Sequence, residues 1–118
     1  MASLSQQQKA GSSLLPLPIF KDVTKEAGVD YRITCGDEVT EFLIDVNGEG
    51  GAFLDYDNDG DQDIYLVNGS SRKSQQSGKL PHDYLLRNNG DGTFADVTEQ
   101  AKLGDTEWGG GVAVGDYN

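Results

Sequence analysis

The sequence predicts an all-β repeat protein whose sheets are covered on both sides by neighbouring copies of the same unit. Three observations carry this. Short apolar runs are separated by Gly, Asn and Asp turn signals. Two stretches repeat in register, FKDVTKEAGV from Phe20 and FADVTEQAKL from Phe94, with Phe, Asp, Val, Thr and Ala at matching positions. A second pair follows them, GEGGAFLDYDN from Gly48 and GGGVAVGDYN from Gly109. The first pair is offset by 74 residues (Phe20 to Phe94), and the aspartates Asp55 and Asp116 of the second pair by 61. The difference, 13 residues, falls between Val29 and Gly48, so a loop of variable length interrupts a constant unit.

Residues 1–18 are rich in Gln, Ser and Pro and read as a flexible N-terminal segment, leaving residues 19–118 as the repeat region. Residues 51–54 (GAFL) form a first strand, residues 64–67 (IYLV) a second, residues 83–88 (DYLLRN) a third and residues 93–97 (TFADV) a fourth. The NGDG at residues 89–92 joins the last two as a hairpin. The polar stretch 70–82 reads as a flexible connection, and TKEAG and TEQAK each add a short helical turn. The strands do not alternate: Ala52, Phe53 and Leu54 are all apolar, as are Ile64, Tyr65, Leu66 and Val67. Side chains alternate faces along a strand, so both faces are apolar and both need cover. Stacked copies supply it, as in propeller blades and solenoids.

The chain ends at GDYN, inside a second aspartate loop, which predicts a piece of a longer repeat protein. About one full sheet is expected, plus parts of its two neighbours. Residues 20–23 are expected to pair as the outer strand of the preceding sheet, leaving an open edge. Uncovered apolar faces then predict self-association.

Lys plus Arg number 9 against 20 Asp plus Glu, a net charge of −11, which argues against a nucleic-acid partner and suits cation binding. The single cysteine, Cys35, has no partner for an internal disulfide, and no Cys/His cluster for zinc exists. No apolar run is long enough for a membrane span, and the opening MASLSQQQKAGSSLLPLPIF is a poor signal peptide.

The acidity is concentrated. DYDNDGDQD places Asp55, Asp57, Asp59, Asp61 and Asp63 at alternate positions, with Gly60 at the sixth. Two carboxylates about 5 Å apart repel by roughly 3 kcal/mol at an effective dielectric of 20, and several such pairs occur. A hard cation removes that cost: calcium takes six to eight oxygens at about 2.3–2.6 Å. Gly60 permits the turn that wraps the loop. Magnesium prefers fewer protein ligands and more water, and soft metals want thiolate or imidazole. An EF-hand is excluded, because its twelfth position needs Glu and here is Leu66, and its flanks are helices. The reading is a strand–loop–strand calcium site complete by Asp63.

DYDNDGDQDIYLVNG, LLRNNGDGTFADVTEQA and WGGGVAVGDYN together resemble the FG-GAP/VCBS repeats of the ASPIC/UnbV family, similar to cartilage acidic protein. The resemblance covers about residues 20–118. It implies a β-propeller whose blades carry a calcium loop between their first two strands. It further implies side-chain ligands from Asp55, Asp57, Asp59 and Asp63, the main-chain carbonyl from Asp61, and Asp116 and Asn118 at positions 1 and 3 of the next loop. A secreted, surface or periplasmic location follows from the same resemblance, as does recognition of a protein or carbohydrate partner. The literal Phe-Gly and Gly-Ala-Pro words of integrin repeats do not occur.

Other features are weaker. The glycines at 48–51 and 109–111 fail the dinucleotide pattern at Phe53 and Val114 and fit close packing of inner strands. Trp108 reads as packing core and His82 as a surface residue without a partner. Glu41 and Glu49 form no argued acid pair, and one histidine makes no Ser/His/Asp set. Asn68 opens an Asn-Gly-Ser acceptor for glycosylation in a secreting eukaryote, and a strand-end turn in a bacterium. A non-enzymatic recognition module is therefore expected; the alternative is a piece of a propeller enzyme, hydrolase or lyase, with its catalytic residues elsewhere.

Overall fold

In the computed structural model, residues 17–39 and 49–116 are described. Most of the expected N-terminal segment, together with Glu41, Gly48 and Asn118, lies outside the described residues. The described part is mainly β. Four strands, β1 (Gly51–Leu54), β2 (Asp63–Leu66), β3 (Tyr84–Asn88) and β4 (Phe94–Asp96), form one antiparallel sheet in the order of the chain. Helix is limited to α1 (Arg72–Ser77) and α2 (Thr98–Ala101). Among the described residues no helix is long and apolar enough to cross a membrane.

Register follows from the turns. The aspartate loop joins Leu54 to Asp63, which face each other across β1 and β2, and Gly51 ends opposite Leu66. Between β3 and β4, Asn88 faces Phe94, and the Asn89 N–H donates to the Thr93 carbonyl (2.9 Å). Gly90 (φ +74°) and Gly92 (φ +87°) supply the left-handed conformations the hairpin needs. The Asp91 carboxylate takes the Thr93 hydroxyl and N–H at 2.6 and 2.9 Å, which hold it below its usual range.

The expectation of two apolar faces holds best at β3. Leu85 and Leu86 point to opposite faces and both have no exposed surface. Val67, Val97 and Ala27 are the other buried apolar residues among those described. At β1 an apolar face is left uncovered: Phe53 is 68% exposed.

Residues 20–23, expected to pair in a preceding sheet whose other strands are not in this sequence, are not in a strand here. No ladder partner for them occurs among the described residues, and Phe20 is 92% exposed. The connection at 70–82 is also more ordered than its composition suggests. Ser71 caps α1 by accepting the Ser74 N–H (3.1 Å), Gly78 closes it in the left-handed conformation, and the Gly36 N–H and Ser70 carbonyl tie it to the 36–37 turn (2.9 Å).

The internal repeat survives as geometry. In each copy the aspartate of the Asp-Val-Thr triplet accepts both the N–H and the hydroxyl of its threonine: Asp22 from Thr24 at 3.0 and 2.6 Å, Asp96 from Thr98 at 2.9 and 2.6 Å. One helical turn follows. Ala27 donates to Val23 (2.8 Å) as Ala101 donates to Val97 (2.9 Å), and Val29 to Thr24 (2.9 Å) as Leu103 to Thr98 (3.1 Å). Gly28 (φ +74°) and Lys102 (φ +57°) end the two turns in the same left-handed conformation. The glycine clusters also meet. A Cβ on Gly50 would lie 2.8 Å from the Val112 nitrogen, and one on Gly109 would overlap Val67, so small residues are needed on both sides.

The left-handed caps give a paired expectation. Gly28→Ala should cost about 1–2 kcal/mol, since its Cβ would also press on the Phe94 carbonyl oxygen at 3.1 Å. Lys102→Gly should be neutral, or stabilising by up to about 1 kcal/mol, because glycine relieves the strain. Urea unfolding followed by circular dichroism measures both; a clearly destabilised Lys102→Gly chain would contradict the assignment.

Candidate metal centre

The aspartate loop leaves the β1 edge and returns as β2, with its turns set by main-chain conformation. Asn58 (φ +63°) and Gly60 (φ +95°) are left-handed, which curls residues 55–61 back on themselves. Nothing lies within 4 Å of a Cβ built on Gly60, so glycine is there for its φ and not for space. The carboxylates then hold their own loop. Asp55 accepts the N–H groups of Asp59 (3.1 Å) and Gly60 (3.0 Å), and Asp59 accepts that of Asp61 (2.9 Å). Asp63 accepts the Tyr56 N–H on one oxygen (2.9 Å) and the Asn88 N–H on the other (2.8 Å).

This brings part of the predicted set together. One carboxylate oxygen from each of Asp55, Asp57 and Asp63 lies within 4.8 Å of the others. Asp59 and Asp61 are exposed and their carboxylates are not in that group. Asp63 has no exposed surface, Asp55 is half-buried and Asp57 is exposed, so the cluster opens to solvent on one side. The donor set fits a hard divalent cation. All three donors are carboxylate oxygens, and two oxygens that share an ion at about 2.3–2.6 Å can be at most about 5 Å apart.

A second polar centre lies at the opposite end of β2 and β3, just past Leu66 and just before Tyr84, where the sequence offered only the Asn-Gly-Ser turn. Asp83 is buried and accepts the Tyr65 hydroxyl (2.6 Å) and the Asn68 N–H (2.7 Å). Asn68, 1% exposed, accepts the Thr34 N–H (2.7 Å) and donates to the His82 carbonyl (3.0 Å). Both ends of the Asn68 amide are thereby engaged inside the fold, so the Asn-Gly-Ser acceptor is closed once the chain has folded. His82 is half-buried rather than free: its Nδ1–H donates to the Asp83 carbonyl (2.6 Å) and its ring sits 4.6 Å from that of Tyr84. Trp108 is half-buried. Cys35 is exposed. Oε1 of Glu49 is buried without a hydrogen-bond partner among the described residues, against Gly69, where any Cβ would overlap it.

A family model for the FG-GAP-like repeat matches residues 55–118, from the first aspartate of this loop to the end of the chain. That is more than half of the sequence, and the chain belongs to this family. Repeats of this kind are a general recognition and adhesion module of extracellular type. Comparison with curated proteins and with solved structures returned no match.

The Tyr65–Asp83 pair carries a pH signature. Burial, then the hydrogen bond to Asp83 and the charges of Asp83 and Asp105, push the Tyr65 hydroxyl well above its ordinary range. A raised folded-state pKa stabilises fully below the unfolded value of about 10, and that contribution is lost as pH rises beyond it. Wild type should therefore exceed Tyr65→Phe in stability at pH 8, with the gap narrowing at pH 11 in urea titrations. An unchanged gap would mean that the hydroxyl does not act through this bond.

Proposed function

We propose that this chain is a calcium-binding repeat module of a β-propeller, of the ASPIC/UnbV type, in a secreted or surface protein, and that it acts in recognition of a protein or carbohydrate partner rather than in catalysis. The observation that carries the reading is the convergence of Asp55, Asp57 and Asp63 at a loop whose family match begins at its first aspartate. Those three side chains would hold the ion, with the Asp59 side chain and the Asp61 main-chain carbonyl completing the set. Calcium would supply the positive charge that lets the carboxylates stay close. The loop amides already donated to Asp55 and Asp63 pre-arrange those two ligands, so less order has to be gained on binding. The exposure of Phe53 and Val114 supports burial against a neighbouring unit or a second copy.

Affinity in the range of extracellular modules, about 0.1–1 mM, is expected. A 0.1 mM site adds roughly 1.4 kcal/mol of stability at 1 mM calcium. Calorimetric titration, with thermal melts in calcium and in chelator, measures this; coincident melts without binding heat would refute the reading. Asp57→Ala should weaken binding at least about tenfold, or about 1.4 kcal/mol. Asp91→Ala should leave it near wild type, because its carboxylate serves the Thr93 turn. Equal losses would assign the ion to general acidity.

A further inference from the structure

Asn88 is no part of the aspartate loop, yet it holds that loop at two points. Its main-chain N–H donates to Asp63 Oδ1 (2.8 Å), and its side-chain Nδ2 donates to the Gln62 carbonyl (3.1 Å). Its side-chain Oδ1 accepts the Gly90 N–H (2.9 Å), which starts the hairpin turn. The tip of that turn reaches the loop as well: a Cβ on Gly90 would lie 3.1 Å from Asp61 Oδ2. We infer that Asn88 is a positioning residue for the cation loop, an inference that rests on the calcium reading above. One side chain turns the β3–β4 hairpin with its oxygen and tethers the loop's exit with its nitrogen. Between the two tethered residues, Gln62 and Asp63, the chain enters β2, so the tether sets where the Asp63 carboxylate stands relative to Asp55 and Asp57.

A purely structural role in the hairpin makes a different forecast, and Asn88→Ser separates the two. The serine hydroxyl can still accept the Gly90 N–H two residues on, but it is too short to reach the Gln62 carbonyl. Asn89→Ala is the control. Asn89 Nδ2 donates to Thr93 Oγ1 (3.0 Å) within the same hairpin and does not touch the loop.

The experiment is calorimetric calcium titration of wild type and both variants, with amide hydrogen exchange of the calcium-free proteins. Loss of an outer-shell partner typically weakens a metal site 10–100-fold, so Asn88→Ser should raise Kd about tenfold while Asn89→Ala stays within about twofold. The Tyr56 N–H, held by Asp63 (2.9 Å), should exchange faster in Asn88→Ser, and the Asn89 N–H, held by Thr93 (2.9 Å), should not change. Equal weakening by both variants, or Asn88→Ser with wild-type affinity and wild-type exchange at Tyr56, would overturn the inference. If wild type itself binds no calcium, the calcium reading falls separately, and exchange at Tyr56 decides the tether: faster supports it, unchanged overturns it.

Discussion

A carboxylate without exposed surface stands where the aspartate loop becomes a strand, and much of the sheet is arranged around it. Asp63 is at once the last of the alternate aspartates, the first residue of β2 and the partner of Leu54 in β1. One of its oxygens closes the loop onto Tyr56, and the other accepts the N–H of Asn88 on the neighbouring β3. Burying a charged group costs several kcal/mol unless it is paired and hydrogen-bonded. Two main-chain N–H donors from separate segments offset part of that cost, and each also fixes the segment that donates it. The same contacts therefore decide loop shape, β1–β2 register and the docking of the hairpin. A divalent cation at Asp55, Asp57 and Asp63 would act on this junction, so its binding would be coupled to sheet stability through one residue.

The rest of the described interior mixes polar with apolar groups. The described buried apolar residues are Ala27, Val67, Leu85, Leu86 and Val97, and beside them lie buried Asp63, Asn68, Ser70, Ser71, Asp83 and Thr98. Such groups are tolerated only when their partners are in place. Thr98 shows the pattern: its hydroxyl donates to Asp96 (2.6 Å) and accepts the Leu85 N–H (2.9 Å), serving a main-chain group where β4 has ended. Asn68 does the same for Thr34, and Asp83 for Asn68. Removing one partner leaves a buried group unmet and costs about 1–3 kcal/mol, more for a charge, whereas the intact network specifies one register.

The features legible in the sequence are those with a local cause. Strand positions followed from turn residues: the NGDG hairpin and the glycine-bearing aspartate loop bracket β2, β3 and β4 within a residue or two. The loop's spacing pointed to the residues that converge, although Asp59 turns its carboxylate to the Asp61 N–H instead. Helix α1 left a faint signal, Ser71 before it and Gly78 after it, hidden by a polar composition that reads equally as a loop. Asn88 and Asp83 had no readable signal, and Asn68 was legible only as the start of an Asn-Gly-Ser turn, not as a buried anchor. Each acts on a residue 14 to 34 positions away, and a lone Asn or Asp at a strand end is ordinary in sequence.

The two copies of the Phe-x-Asp-Val-Thr unit separate local from tertiary causes. Both make the same aspartate–threonine bonds and the same helical turn, and both end in a left-handed residue, although one copy ends in glycine and the other in lysine. The turn is thus encoded within about ten residues and forms whatever surrounds it. The strand that precedes the turn is not. Phe94 lies in β4 because Asn88 faces it across the ladder, while Phe20, in the same motif, has no such neighbour among the described residues and stays exposed. A ladder forms only against another strand, so apolar periodicity describes what a segment can pair with rather than what it forms alone. The Ala27 carbonyl accepts the Phe94 N–H (2.8 Å), so the first copy's turn docks at the start of β4 without a strand before it. In this chain the turn is the part both copies share, and the strand before it is the part that its surroundings determine.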